Sequence, residues 1–230
     1  MNQKELDVVI ENHYKWISVP RQGGKFADLE GADLRGLDLS GVNLRLANLK
    51  YANLSGANLE GVGLYGADLR RVNLDGANLK DANLDDSNMR QVHACGTDFR
   101  NASMTFVDLY NSTLRNADFN GACLNGSTFK NAFLSGVDLK RASLGNVDWR
   151  DVNGLDSIIS IEIELEKGLK YNRNGNQITY IKELDLWIVG YFQGTLDELK
   201  ASVEKTHKDN EKLKKRYYRV IDFILKEVAE

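Results

Sequence analysis

The chain is poor in the residues that usually interrupt or cross-link a fold. Of 230 residues, one is proline, two are cysteine and three are histidine. A single proline argues against a disordered linker, because such segments are enriched in it. Two cysteines, Cys95 and Cys123, supply no disulfide framework and fit a reducing cytoplasm. His13, His93 and His207 lie in three different regions and give no pair at metal-ligand spacing. No apolar run approaches the length of a transmembrane helix. The opening MNQKELDVVIENHYKW lacks the apolar core of a secretory signal. Neither charge sign dominates: 30 Lys and Arg stand against 33 Asp and Glu, a net of −3. That is neither the excess of a nucleic-acid binder nor an acidic tail. GxSxG, Walker and CxxC motifs are missing, and the glycines are spread rather than clustered around a phosphate. Asp85-Asp86 reads as a turn, and Cys95 as part of a Gly-flanked turn. No enzymatic activity, cofactor or metal is expected.

What is present is a register. Every fifth residue from Leu29 to Leu84 is leucine. The series continues through Met89, Ala94, Phe99, Met104, Leu109, Leu114, Phe119, Leu124, Phe129, Leu134, Leu139, Leu144 and Trp149. From 29 to 149 this makes (149 − 29)/5 + 1 = 25 repeats without insertion. A period of five suits neither a helix nor a strand and marks a repeat architecture. Two residues before each centre stands a small residue, mostly Ala or Val; one before it, usually Asp or Asn. Two after it, Gly or Asn fills 16 of 25 positions. Those residues accept positive φ, so a turn is expected in every repeat. Four turns close a square, one coil takes 20 residues, and coils stack at the ~4.8 Å spacing of paired strands.

This A(D/N)LxG pattern resembles the pentapeptide-repeat family. The resemblance implies an all-β solenoid, a right-handed quadrilateral β-helix. Twenty-five repeats then make about six coils and a rod of roughly 30 Å. Ala94 is the one small centre. A slim or void coil is expected beneath His93 and Cys95, and Ala94→Leu is expected to raise the melting temperature.

Three regions follow: an N-terminal helix cap over 1–25, the β-helix over 26–154, and a small α+β domain over 155–230. Residues 3–18 read as an amphipathic helix with Leu6, Val9, Ile10, His13, Trp16 and Ile17 near one face, ended by Pro20 and Gly23-Gly24. Such a helix would cover the exposed edge of the first coil. A helix ending in Trp before GGKFADLEGADL resembles bacterial and phage members of the family. After Asp151 the register dissolves. SIISIEIELE reads as a strand stacked on the last coil, KYNRNGNQITYIK as a hairpin, and LWIVGYF as a further strand. A capping box at Thr195–Glu198 opens a helix to about His207. A last helix from about Asp209 carries Leu213, Tyr217, Val220, Ile221, Ile224 and Leu225 as its stripe. Its other face holds Lys212, Lys214, Lys215, Arg216 and Arg219, read as a solvated face rather than a nucleic-acid contact.

Sorting centres by 20 assigns faces. On the first face Lys50, Arg70, Arg90, Lys130 and Arg150 form a column beside Asp28, Asp68, Asp108 and Asp148. This is either a solvated surface of paired charges or a strip for an anionic partner. On the fourth face Leu46, Tyr65 and Phe106 point outward, a candidate contact and a route to a homodimer. The expected function is therefore a non-catalytic interaction protein of the cytoplasm. Its solenoid would be a rigid platform for a protein partner or a small ligand, with a host enzyme antagonised by a phage or bacterial protein as one form. No membrane and no direct nucleic-acid contact are expected. The resemblance implies an alternative, a DNA-mimicking inhibitor or protector of gyrase or another topoisomerase. A 30 Å duplex carries roughly 18 charges, whereas residues 26–153 hold 16 acids against 13 bases, a net of −3.

Overall fold

The computed structural model describes residues 1–18, 23–154, 158–162, 177–181, 186–189 and 192–229. Pro20 and the Asn-Gly turn of the expected hairpin lie outside them. From residue 28 to 153, each residue that precedes a centre forms a parallel β-bridge to the residue 20 positions on, from Asp28↔Asn48 to Phe133↔Asn153. On one face Leu29 N donates to Asn48 O (2.7 Å), Gly31 N to Lys50 O (2.8 Å), and Asn48 N to Ala27 O (3.1 Å). The chain turns immediately afterwards, with Ala32 N donating to Leu29 O at 3.1 Å. Leu54 and Leu74 stand in the same ladder, since Leu54 N bonds Asn73 O.

The turn chemistry explains the period. All 25 residues two after a centre have positive φ, between 56° and 74°. Gly and Asn accept that conformation, so they fill most of these slots. The Asp or Asn before the centre supports the same turn: its Oδ1 accepts the N–H two residues on, as in Ser40→Asp38 (3.0 Å) and Asp75→Asn73 (2.9 Å). The centres are buried, and so are most of the small residues before them; Ala32, Val42 and Val137 are partly buried. Phe99 stacks on Phe119 at 4.9 Å, and Phe129 on Trp149 at 5.1 Å. Burying each large centre contributes ~1.5–3 kcal/mol.

The small slot is not always apolar. Ser112 and Ser127 donate down to Met89 O (2.9 Å) and Met104 O (2.6 Å) and accept from Val92 N and Val107 N. Thr97 donates to Leu74 O at 2.8 Å. Ser87 occupies the same kind of slot, but its buried hydroxyl has no partner among the described residues. Opposite effects follow from one chemical change. Ser127→Ala leaves the Val107 N–H without its hydroxyl acceptor and is expected to cost about 1–3 kcal/mol. Ser87→Ala removes an unpaired polar group and is expected to raise the melting temperature. Thermal unfolding of both variants checks the contrast.

α1 (Gln3–Ser18) opens with a reciprocal cap, Glu5 N to Asn2 Oδ1 (3.0 Å) and Asn2 N to Glu5 Oε2 (2.9 Å). Its buried face carries Leu6 and His13, with Val9 and Ile10 against the solenoid core. Two polar side chains satisfy the backbone of the first coil. Gln3 donates to Asp38 O (3.0 Å) and accepts from Asp38 N (3.1 Å), as a neighbouring strand would. His13 Nδ1 accepts from Ala27 N at 3.0 Å, and Nε2 lies 3.2 Å from Arg45 O. His13 therefore caps the backbone of the first coil. The ring stacks on Trp16 and meets Phe26 edge-on.

Beyond the rod, β1 (Ile158–Glu162), β2 (Gln177–Ile181), β3 (Leu186–Val189) and β4 (Phe192–Gly194) form an antiparallel sheet in sequence order. The run LWIVGYF is thus two strands, not one: Val189 pairs with Phe192 across a two-residue connection. Gly190, a breaker inside the apolar run, is the signal that the single-strand reading passed over. Among the described side chains, the contact with the last coils comes from β3 and β4. Gln193 accepts from Leu144 N (2.8 Å) and donates to Ala142 O (2.7 Å), the same device as Gln3 at the other end. Ile188 of β3 joins the solenoid core. α2 (Leu196–Thr206) starts at the Thr195–Glu198 capping box, and α3 (Glu211–Ala229) follows. Leu199, Val203, Tyr217, Ile221 and Ile224 pack with Tyr180 and Trp187 in a second core. Leu225 was expected in the stripe but is 37% exposed, because 217, 221 and 224 already complete the buried face. Among the described residues no helix is long and apolar enough to cross a membrane.

Candidate interaction surface

The first-face cations are mostly neutralised where they stand. Arg70 grips Asp68 through Nε–Oδ1 (2.8 Å) and Nη2–Oδ2 (2.6 Å). Arg35–Asp33, Arg100–Asp98 and Arg150–Asp148 repeat this fork across a centre. Lys50 pairs with Glu30 (3.1 Å), and Arg90 with Asp108 (3.1 Å) while stacking on Tyr110. The cause is spacing: D-L-R puts both side chains on the outside of one turn, two residues apart. The Arg35 guanidinium holds the Asp33 carboxyl down at about 2, and Arg70 and Arg100 lower Asp68 and Asp98 in the same way. Their folded pKa lies below the unfolded one, so this stabilisation is complete above about pH 4 and is lost as pH falls further. At these exposures each pair contributes little.

Lys50, Arg70 and Arg90 line one cleft of about 440 Å³ together with Tyr51, Arg71 and Gln91. Arg71 donates to Gln91 Oε1 (2.6 Å) and lies over the Tyr51 ring at 5.6 Å. Lys130 and Arg150 stand farther along the column and do not line it. The charge-column reading missed Tyr51 and Arg71. Their signal was position: both occupy a positive-φ slot, where Gly or Asn is usual.

On the fourth face the column two after the centre runs Leu46, Gly66, Asp86, Phe106, Gly126, Asn146. Leu46 and Phe106 adopt φ of 63° and 57°, strained for side chains of this size. They are 41% and 58% exposed, and Tyr65 is 46% exposed. Each lies flat over the glycine of the next coil: a Cβ on Gly66 would come 2.8 Å from Leu46 Cδ2, and one on Gly126 would strike the Phe106 ring. Leu46 and Tyr65 are neighbours, whereas Phe106 forms a separate patch farther up. Asp86 beside the Tyr65 hydroxyl pushes its pKa up. Next to Tyr65 a depression of about 410 Å³ opens around Gly63, with Asn43, Arg45 and Asn83 on its walls.

The chain belongs to the pentapeptide-repeat family: eight copies of the family's repeat match across residues 27–64, 52–91, 64–101 and 95–131. The family's fold is the right-handed quadrilateral β-helix. Among solved structures, the chain is similar to a pentapeptide repeat protein of the Arabidopsis thaliana thylakoid lumen, 28% identical over 55% of this chain and 71% of that one, TM-score 0.25. It is also similar to a pentapeptide repeat protein from Nostoc PCC 7120, 31% identical over 40% of this chain and 79% of that one, TM-score 0.20. QnrB1, a plasmid-mediated fluoroquinolone resistance protein, is 15% identical over 56% of this chain and 83% of that one, TM-score 0.25. No curated protein matches. Among the described residues no group of His, Cys, Asp and Glu has the geometry of a metal site.

Proposed function

We propose that the chain is a non-catalytic binding protein whose solenoid, about six coils and roughly 30 Å long, presents its fourth face to a protein partner. In this reading residues 1–25 and 155–230 are end caps that keep both ladder edges from pairing with other chains. One observation carries the assignment to the fourth face. Leu46 and Phe106 hold exposed apolar side chains in a left-handed conformation, in a column whose other members include Gly66 and Gly126. Glycine would relieve the strain at either site. Exposed apolar anchors ringed by polar groups suit a protein interface. The first-face column is the weaker choice, because most of its charges already have partners. DNA mimicry of a topoisomerase substrate is weaker again, since 16 acids against 13 bases make a near-neutral rod.

The test compares full-length proteins in affinity capture from cell extract. Leu46→Gly with Phe106→Gly is expected to keep or raise the melting temperature and to lose the partner retained by wild type. Arg70→Ser is expected to keep it. Retention by the glycine variant with loss in Arg70→Ser would move the interface to the first face.

A further inference from the structure

The residue before each centre carries a side chain in 24 of the 25 repeats; Gly63 is the exception. Its backbone does not require glycine, for its φ lies outside the left-handed region. Space does not require it either: an added Cβ would meet only ordinary contacts, the nearest being Asn43 Oδ1 at 3.5 Å. Glycine at a paired position weakens the ladder and often marks a close approach by another molecule.

The missing side chain leaves a defined set of polar groups. Gly63 bridges Asn43 on one coil and Asn83 on the next. In the neighbouring repeats an Oδ1 at this position accepts the N–H two residues on, as Asn43 does from Arg45 N (3.2 Å) and Asn83 from Asp85 N (3.1 Å). The N–H of Tyr65 has no such acceptor among the described residues. Some ladder asparagines reach back 20 residues through Nδ2, as Asn48 does to Asp28, Asn58 to Asp38 and Asn78 to Asn58; Asn53, Asn73 and Asn88 make no such bond among the described residues. Asn83 has only Gly63 behind it, and its Nδ2 is without an acceptor among the described residues. Two donors therefore border the gap from one side, and Asn43 Oδ1 is the acceptor on the other.

We propose that the gap at Gly63 is a docking notch for the side-chain carboxamide of an asparagine or glutamine on a protein partner. The carboxamide oxygen accepts from Tyr65 N–H and Asn83 Nδ2, and its NH2 donates to Asn43 Oδ1. A carboxylate satisfies the two donors and gains from Arg45 on the rim, but it sets an oxygen against Asn43 Oδ1. The Tyr65 ring beside the notch supplies an apolar wall for the rest of the side chain. The proposal refines the fourth-face reading, and its test needs no partner.

The experiment is a titration of the isotope-labelled full chain with acetamide, and separately with acetate, followed by amide resonances. Acetamide in the tens of millimolar is expected to give saturable shifts of the Tyr65 backbone amide and the Asn83 side-chain amide, with acetate giving smaller ones. Gly63→Asn is expected to abolish these shifts and raise the melting temperature, because the chain then fills its own ladder. Absence of saturable shifts, equal shifts in Gly63→Asn, or stronger binding of acetate would each overturn the proposal. Loss of a partner in the Leu46→Gly, Phe106→Gly variant is read separately, so the two ideas fail independently.

Discussion

His13→Ala is expected to lower unfolding free energy by about 3–5 kcal/mol, the largest single-residue effect outside the leucine centres. The imidazole is fully buried and holds the Ala27 N–H at 3.0 Å and the Arg45 carbonyl at 3.2 Å. Removing it leaves the buried Ala27 N–H and the partly buried Arg45 carbonyl unpaired, at about 1–3 kcal/mol each, and opens a cavity beside Trp16 and Phe26. Ala27 can only donate and Arg45 O can only accept, so the ring is neutral with its proton on Nε2. Burial lowers its pKa, and the charge of Arg45 lowers it further against the pull of the Arg45 carbonyl. The folded pKa is therefore below the unfolded ~6.5. The unfolded chain binds the extra proton, and this stabilisation is complete above about pH 6.5 and declines as pH falls below it. The slope is at most about 1.4 kcal/mol per pH unit. Urea unfolding between pH 7.5 and 5 should show a steeper decline in wild type than in His13→Phe, where His207, also lowered by burial, still contributes. Equal pH profiles would remove His13 from the cap.

Ala94→Leu is expected to destabilise by about 1–3 kcal/mol through overpacking. The sequence reading of a slim or void coil expects the opposite sign. Ala94 shares its coil with Met89, Phe99 and Met104, all buried. The three carbons that alanine lacks relative to leucine are the three that Phe99 adds. Phe99 is fixed by its stack on Phe119. The double variant Ala94→Leu, Phe99→Leu restores four leucine-sized centres. It should be more stable than the sum of its single changes, since neighbours in one cavity couple. Melting curves of the three variants decide this; a rise for Ala94→Leu alone would mean the coil is underfilled.

The ladder was legible because its cause is local. Each turn is set by a residue such as Gly31 or Asn101 in positive φ and by an Asx side chain next to the centre, and both recur in sequence. α1 and the Thr195 cap were legible for the same reason. The bonds that close the two ends were not. His13 meets Arg45 across 32 residues, Gln3 meets Asp38 across 35, and Gln193 meets Ala142 across 51. Nothing periodic announces a glutamine that imitates a strand. The candidate surface was half legible. Leu46, Tyr65 and Phe106 broke the repeat by being large and apolar, whereas Gly63 broke it by being small among many glycines. Only the ladder shows that its backbone has no need of one. The first-face column looked like a charged strip because the D-L-R fork is a contact, and a one-dimensional pattern does not show which charges touch.

The most direct test of the central physical claim is a map of backbone nuclear Overhauser contacts over residues 27–153. Stacked coils predict contacts between residues 19 and 20 apart, such as Leu54 with Asn73 and with Leu74, repeated along the whole span. A run of contacts three and four residues apart, or a ladder at any other spacing, would contradict it.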